Sequence, residues 1–466
     1  MPDFIRLPTR SIGLKFLLVC LLALVMAIPA LTVWGVLQDR LNRFNQVRAE
    51  IAGYEGGQQR VLGPVLLIPY EKDVQQDGKI VTLRAEAVAF AEQGKADATL
   101  VMDVRKRDLY TVPVYRSRVA FDATFDPATV AKALQSMDPR ARFDLANARV
   151  AVAVSSATGI LEPVSFVAPD GSQREFTPVA TTNDPGATSE LALIAAPVGD
   201  LMTAGAPISV ALTLALSGAE RFAIAAFAKN TSATIAGNWP DPSYEGAFLP
   251  TSQTAQVGDG YQDAPQTTST SFSRQWSAPL ARRGIAAVGA DLGTLNQAAS
   301  KDFAVRFVEP TNVYTGVDRA LKYSLMFIGL VFLTYFMFEI VSGLKAHPAQ
   351  YVMVGLSQAI FYLLLLAFAE RIGFDLAFAM AAGMTVALIS FYVVVVFRSW
   401  RYFVPATAAF VGLYGLMFVL MRLDDYALVV GALTSFAALA ALMLLTRNVD
   451  WYAQSEQRIG RGPEAP

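Results

Sequence analysis

The sequence predicts an α+β membrane protein with six transmembrane helices, one N-terminal and five C-terminal, around a large β-rich, sandwich-like periplasmic domain. Three observations predict it. The chain is 54% hydrophobic and 17% charged, where a soluble domain is about 25% charged, so much of it must lie out of water. Six apolar runs, at about 14–37, 321–341, 351–369, 375–397, 402–421 and 426–445, are each long enough to cross a ~30 Å hydrocarbon core. Between the first and second runs the hydrophobic pattern changes to period two, clearest where Ile208, Val210, Leu212, Leu214 and Leu216 alternate with Ser209, Ala211, Thr213, Ala215 and Ser217.

The first run follows Arg6, Arg10 and Lys15 and carries small residues such as Ala27 and Ala30, as a signal peptide would. Its apolar character continues through Trp34 to Leu37, which favours a retained anchor. Leu37, Leu41, Phe44, Val47 and Ile51 recur at helical spacing, so the helix should run on as a stalk that ends near Gly53 or Gly56-Gly57. Strands are expected at 65–70, 79–92, between Ala98 and Asp126, and at 149–154, 208–217 and 302–308, in an antiparallel sandwich or irregular double sheet. The polar stretches 168–190 and 251–270 read as exposed loops. Thr315 with Asp318 fits a capping box that would start the second span near Gly316.

This divides the chain into an N-terminal segment with the first span (1–37), a periplasmic domain (38–318), a five-helix bundle (319–446) and a tail (447–466). Cationic residues near span ends resist translocation. Placing Arg6, Arg10, Lys15, Lys345, Arg398, Arg401, Arg447, Arg458 and Arg461 inside puts both termini in the cytoplasm. Arg371 and Arg422 then lie outside, each beside acids, while Arg319 and Lys322 follow a long domain whose transfer is insensitive to charge.

Composition also excludes function classes. A net charge of −1 leaves no basic excess for nucleic acid. The single cysteine, Cys20, excludes an intrachain disulfide and a cysteine zinc site. His347 is the one histidine; Pro348 after it disfavours helix at 347, so the pair marks a tight turn between two spans. A hydrolase base would need a nucleophile beside it, and Ser357 lies about 13–15 Å along a helix at 1.5 Å per residue. No catalytic, cofactor-binding or metal-binding residue is therefore assigned, and no cofactor is implied.

Four polar residues of the spans remain candidates: Glu339, His347, Gln358 and Glu370. Glu339 should lie near the cytoplasmic interface, within reach of water or of a cation such as Lys345. Gln358 lies deeper and needs an interhelix hydrogen bond. Gly383, Gly412 and Gly415 mark close packing or a break. Outside the spans the densest motif is Asn238, Trp239, Pro240, Pro242, Phe248 and Pro250, a rigid turn leaving the sheet that either packs on its own aromatics or docks a partner. Trp451-Tyr452, beyond Arg447, suits the aromatic belt at a membrane surface.

Several stretches together resemble the CreD family of bacterial inner-membrane proteins: GGQQRVLGPVLLIPY (56–70), GNWPDPSYEGAFLP (237–250), DRALKY (318–323), HPAQYVMVGLSQAIFYLLLLAFAE (347–370) and LTRNVDWY (445–452). The resemblance covers nearly the whole chain in order. It implies a Gram-negative inner membrane, a periplasmic domain and a role in cell-envelope integrity, within a sensor-kinase regulon linked to colicin tolerance and β-lactam stress. It brings no catalytic residues. Two positions depart from the family pattern, Asp241 where a histidine is common and Ser156-Ala157-Thr158 where Asp-Ala-Arg is frequent, which argues against chemistry at either. The function expected is thus a non-catalytic envelope-stress protein in contact with the lipid bilayer and with an envelope protein or lipid partner. The alternative is a transporter or lipid-handling protein, which needs polar groups or broken helices near the bilayer midplane.

Overall fold

In a computed structural model, which describes residues 12–76, 79–107, 110–179, 191–251, 271–307, 313–344, 346–423 and 427–447, the apolar runs are helices and the alternating runs are strands. The chain divides into two units, residues 1–44 with 310–466 and residues 45–309. The loops expected at 180–190 and 252–270, and Arg6, Arg10, Lys345, Trp451 and the tail, lie outside the described residues. The remainder of the first loop is not wholly irregular, because Gln173–Glu175 and Thr177–Pro178 are short strands.

Ile12–Val25 (α1) and Ala27–Tyr54 (α2) form the first apolar run and its extension. The interruption at Met26 is slight, since its N–H still donates to the Leu22 carbonyl at 2.9 Å. Pro29 falls in the first turn of α2, where a missing N–H costs little. Gly56 and Gly57, at φ +90° and +70°, take the chain out of the helix in a conformation that only glycine adopts freely.

The C-terminal helices are Val313–Lys322 (α3), Ser324–Ser342 (α4), Pro348–Ile372 (α5), Phe374–Val396 (α6), Phe403–Arg422 (α7) and Ala427–Thr446 (α8). Among the described residues, five helical stretches are long and apolar enough to cross a membrane: Gly13–Tyr54, Ser324–Ser342, Pro348–Ile372, Phe374–Val396 and Trp400–Arg422. α8 is a further helix of 20 residues.

The capping box expected at Thr315 is not formed, because Thr315 already lies inside α3 and Asp318 pairs with Lys322 one turn on at 2.7 Å. Tyr314, Val317, Ala320 and Leu321 are all buried, and this packed stripe makes the segment helical from Val313 onward. The helix breaks at Tyr323 before the apolar run begins. Gly343 ends α4 at φ +68°, its N–H reaching back to Glu339 and Ile340, and Gly373 at φ +81° alone separates α5 from α6.

In the other unit the main strands are Gln59–Gln76 (β1), Lys79–Arg107 (β2), Tyr110–Phe125 (β3), Arg149–Val154 (β4), Ile208–Ala219 (β5), Arg221–Ala225 (β6), Ala228–Gly237 (β7), Phe272–Pro279 (β8) and Asp302–Arg306 (β9). With shorter strands they link into one hydrogen-bonded sheet. β2 is the shared element: at 29 residues it is about 95 Å long at ~3.3 Å per residue. Its first part pairs with β1, from Val65↔Phe90 to Gln76↔Lys79, and its second part pairs with β3 and β7.

The sheet is mixed rather than purely antiparallel, since β1 pairs with β6 and β2 with β7 in parallel. Alternation of side chains is the same in either direction, so the pattern alone cannot distinguish them. On β5 the alternation of burial holds from Ile208 to Thr213 and then stops; Ala215 and Ser217, on the face expected to be exposed, are buried as well.

Side chains from strands that are not paired in the sheet also meet in the core. Tyr115 of β3 packs edge-on against Phe222 of β6 with ring centroids 5.7 Å apart, and Phe121 meets Phe227 at 5.4 Å. Phe227 sits against two glycines. A Cβ on Gly63 would meet the Phe121 and Phe227 rings at 2.8 Å, and one on Gly94 would meet Phe227 at 2.6 Å. Gly63 also lies where the β1–β4 register shifts between Leu62 and Val65, so the bulge and the ring packing have one origin.

Nearby, Arg283 is fully buried, and no carboxylate among the described residues pairs with it. Its guanidinium donates to the carbonyls of Ala228, Ile285 and Ala286 and lies 4.0 Å from the centre of the Phe90 ring. Burial lowers its pKa to about 10.

Gly63→Ala is expected to destabilise the sheet unit by about 1–3 kcal/mol, the usual cost of overpacking a core. Denaturant unfolding of the full-length protein, followed by the fluorescence of Trp276 and Trp239, measures it; an unchanged midpoint would show that the two rings can yield.

Candidate functional site

The polar candidates of the membrane unit resolve into one cluster, a helix cap and two separate interhelix bonds. In the cluster, Glu339 projects from the last turn of α4 and is 7% exposed. Its Oε1 is paired with Lys15 Nζ of α1, and its Oε2 accepts a 2.7 Å hydrogen bond from the Tyr351 hydroxyl of α5. Lys15 Nζ donates also to the Ala346 carbonyl at 2.7 Å. One charge pair therefore joins the N-terminal helix, α4, and the turn leading to α5.

Tyr335 stands in the same layer, its ring 5.0 Å from that of Tyr351. Among the described residues the cation that meets Glu339 is Lys15; Lys345 lies outside them. Lys15 is the one basic residue within α1, and that placement was the available signal.

His347 is the N-cap of α5. Its Nδ1 accepts from the Ala349 N–H at 3.2 Å, while the Gln350 side chain accepts from the His347 N–H at 2.9 Å, a reciprocal capping box. Pro348 occupies the first helical position, where its fixed φ suits a helix start. The imidazole lone pair is occupied by the helix end, and Ser357 donates instead to the Val354 carbonyl at 2.6 Å.

The two remaining bonds lie farther along α5. Gln358, 1% exposed, is the eleventh residue of α5, and its Oε1 accepts from the Tyr414 hydroxyl of α7 at 2.9 Å. Glu370, near the far end of α5, accepts from the Tyr314 hydroxyl of α3 at 3.1 Å, with Arg40 of α2 at 3.7 Å. α5 therefore carries Tyr351, Gln358 and Glu370 as three separate bonds to other helices along its length. Gly383, Gly412 and Gly415 do not mark close packing; a Cβ at any of the three would meet nothing within 4 Å.

The motif of 238–250 belongs to the sheet unit. β7 ends at Gly237, the chain turns through Pro240 and Asp241 (φ +48°), and a strand resumes at Ser243–Gly246. Asn238 Oδ1 accepts from the Met102 N–H at 2.7 Å, which ties the turn to β2. Trp239 is half-buried, edge-on to Phe307 at 6.2 Å, and Phe248 is buried against Phe303 at 5.4 Å, its carbonyl accepting from Trp276 Nε1. Pro242 and Pro250 are half-buried, whereas Pro240, Asp241 and Leu249 are exposed. Among the described residues no group of three His, Cys, Asp or Glu side chains is placed to hold a metal ion.

Helices joined by interhelix charge and hydroxyl bonds, with a large sheet-rich unit inserted between α2 and α3, define a multi-pass membrane protein of mixed α and β structure. Residues 11–452 match the family model described as inner membrane protein CreD. The chain is 30% identical over 443 residues to the inner membrane protein CreD of Escherichia coli strain K12, covering 93% of this chain and 92% of the relative. This chain belongs to the CreD family, as the motifs indicated, and is a multi-pass inner-membrane protein.

Lys15→Met leaves Glu339 buried with Tyr351 alone and should cost about 3–5 kcal/mol, whereas Lys15→Met with Glu339→Met should recover most of it. Thermal unfolding of the detergent-solubilised protein distinguishes the two. A single variant as stable as the parent would show that the pair does not hold α1 in place.

Proposed function

We propose that the protein is a non-catalytic envelope-integrity protein, with residues 45–309 forming a sandwich-like periplasmic domain that meets an envelope protein or lipid under stress. α8 completes six spans, and both termini are cytoplasmic. The observation that carries the non-catalytic reading is the engagement of every membrane candidate in packing: Glu339 with Lys15, His347 with its own helix end, Gln358 with Tyr414 and Glu370 with Tyr314. None is left poised as a base or nucleophile. Packing of Tyr115 on β3 against Phe222 on β6, two strands that are not paired in the sheet, supports the sandwich. Family membership supports the envelope setting.

The docking surface in this reading is the outer side of the 238–250 turn. Trp239 and Phe248 hold the turn from within, and Pro240, Asp241 and Leu249 face outward. Leu249, at 67% exposure, is a large apolar side chain with no core to serve.

Topology is tested with reporter fusions. Those after Ser342 and after Arg458 should report cytoplasm and one near Gly258 periplasm; a periplasmic C-terminus removes the six-span arrangement.

Docking is tested with Leu249→Asp. That variant should resist protease like the parent yet fail to complement a deletion strain under envelope stress, as for apolar anchors at interfaces. Full complementation by a protease-resistant Leu249→Asp protein rules this surface out.

A further inference from the structure

α6 and α7 run side by side but do not close on one another. They touch where Phe378 meets Phe418, ring centroids 5.2 Å apart, and both rings help to line a groove of about 550 Å³ that runs between the two helices from Asp375. Its described lining comes from these two helices and is almost wholly apolar, with Phe378, Val386, Val411 and Phe418 among its walls. Gly383 and Gly415 face each other's helices across it, and the open space at both positions explains why the groove exists: side chains that would fill it are absent.

The groove has the length and the mouth of a lipid site. Its α6 wall runs from Asp375 to Ala387, a rise of about 18 Å at 1.5 Å per residue, comparable with half of a ~30 Å hydrocarbon core. At the mouth, Arg422 at the end of α7 pairs with Asp375 at the start of α6. Both side chains are more than half exposed, and the Arg422 guanidinium lies 5.5 Å from the Phe418 ring.

We propose that this groove holds one acyl chain of a zwitterionic phospholipid whose headgroup sits on the Asp375–Arg422 pair. The phosphate meets Arg422 and the ammonium meets Asp375, so each charge of the headgroup finds its opposite. A glycerol headgroup has no cation for Asp375, only neutral hydroxyls that can donate hydrogen bonds to it, so the repulsion between its phosphate and Asp375 goes uncompensated. An empty groove in hydrocarbon would forfeit dispersion contacts along both walls, which a single chain restores.

The test is native mass spectrometry of the full-length protein after exchange into detergent containing phosphatidylethanolamine or phosphatidylglycerol, with thermal unfolding to verify that each variant is folded. The parent should retain one phosphatidylethanolamine with about tenfold preference over phosphatidylglycerol. Gly383→Leu and Gly415→Leu, which extend side chains into open space, should fold and lose the retained lipid. Asp375→Asn should keep a lipid but lose the preference.

Retention of phosphatidylethanolamine by folded Gly383→Leu and Gly415→Leu proteins at the parent's level overturns the groove as the site. Equal or stronger retention of phosphatidylglycerol by the parent overturns the headgroup assignment.

Discussion

The charge pair between Lys15 and Glu339 is the constraint on which the membrane unit depends. A chain that leaves its helical unit after residue 44 and returns at 310 must bring α1 back to helices more than three hundred residues away in sequence. Apolar side chains give little preference for one helix neighbour over another when the surrounding lipid is equally apolar. A lysine and a glutamate out of water give a strong one, because either alone is costly and only the correct pairing relieves both. Tyr351 and the Ala346 carbonyl complete the arrangement by occupying the oxygens and protons that the pair leaves over.

The sheet unit solves a different problem with aromatic and glycine packing. β2 is too long for one flat layer and changes partners along its length. Phe227 fills the space that Gly63 and Gly94 leave. Charges here knit the strands as well: Asp302, 3% exposed, accepts from Arg60 at 3.0 Å and from Arg221 at 2.7 Å, and Arg221 and Arg306 share Glu245. Arg306 in turn holds the Glu245 carboxyl below its ordinary range. Arg283 instead meets three carbonyls and a ring face.

These features bear on function through what they exclude as sites and what they leave open. Glu339, Gln358 and Glu370 each bond a neighbouring helix and His347 caps its own, and the interaction surfaces proposed above are of other kinds. One is the turn after β7, stiffened by prolines and anchored by Asn238. The other is the apolar groove between α6 and α7, present because glycines stand where larger residues would close it.

The apolar runs, the period-two strand at Ile208, the end of the stalk at Gly56-Gly57 and the turn at His347-Pro348 were legible in the sequence, because each follows from local periodicity or from one residue's backbone limits. The family was legible for a related reason: its motifs are contiguous. The partner of Glu339 was not, since charge pairing between residues 324 positions apart depends on which helices become neighbours. The parallel pairing of β1 with β6, the covered second face of β5 beyond Leu214 and the early start of α3 were decided by packing for the same reason. The glycines of α6 and α7 are the plainest instance: a sequence records that a side chain is missing, but only the tertiary structure shows whether a neighbour moves into the space or leaves it open.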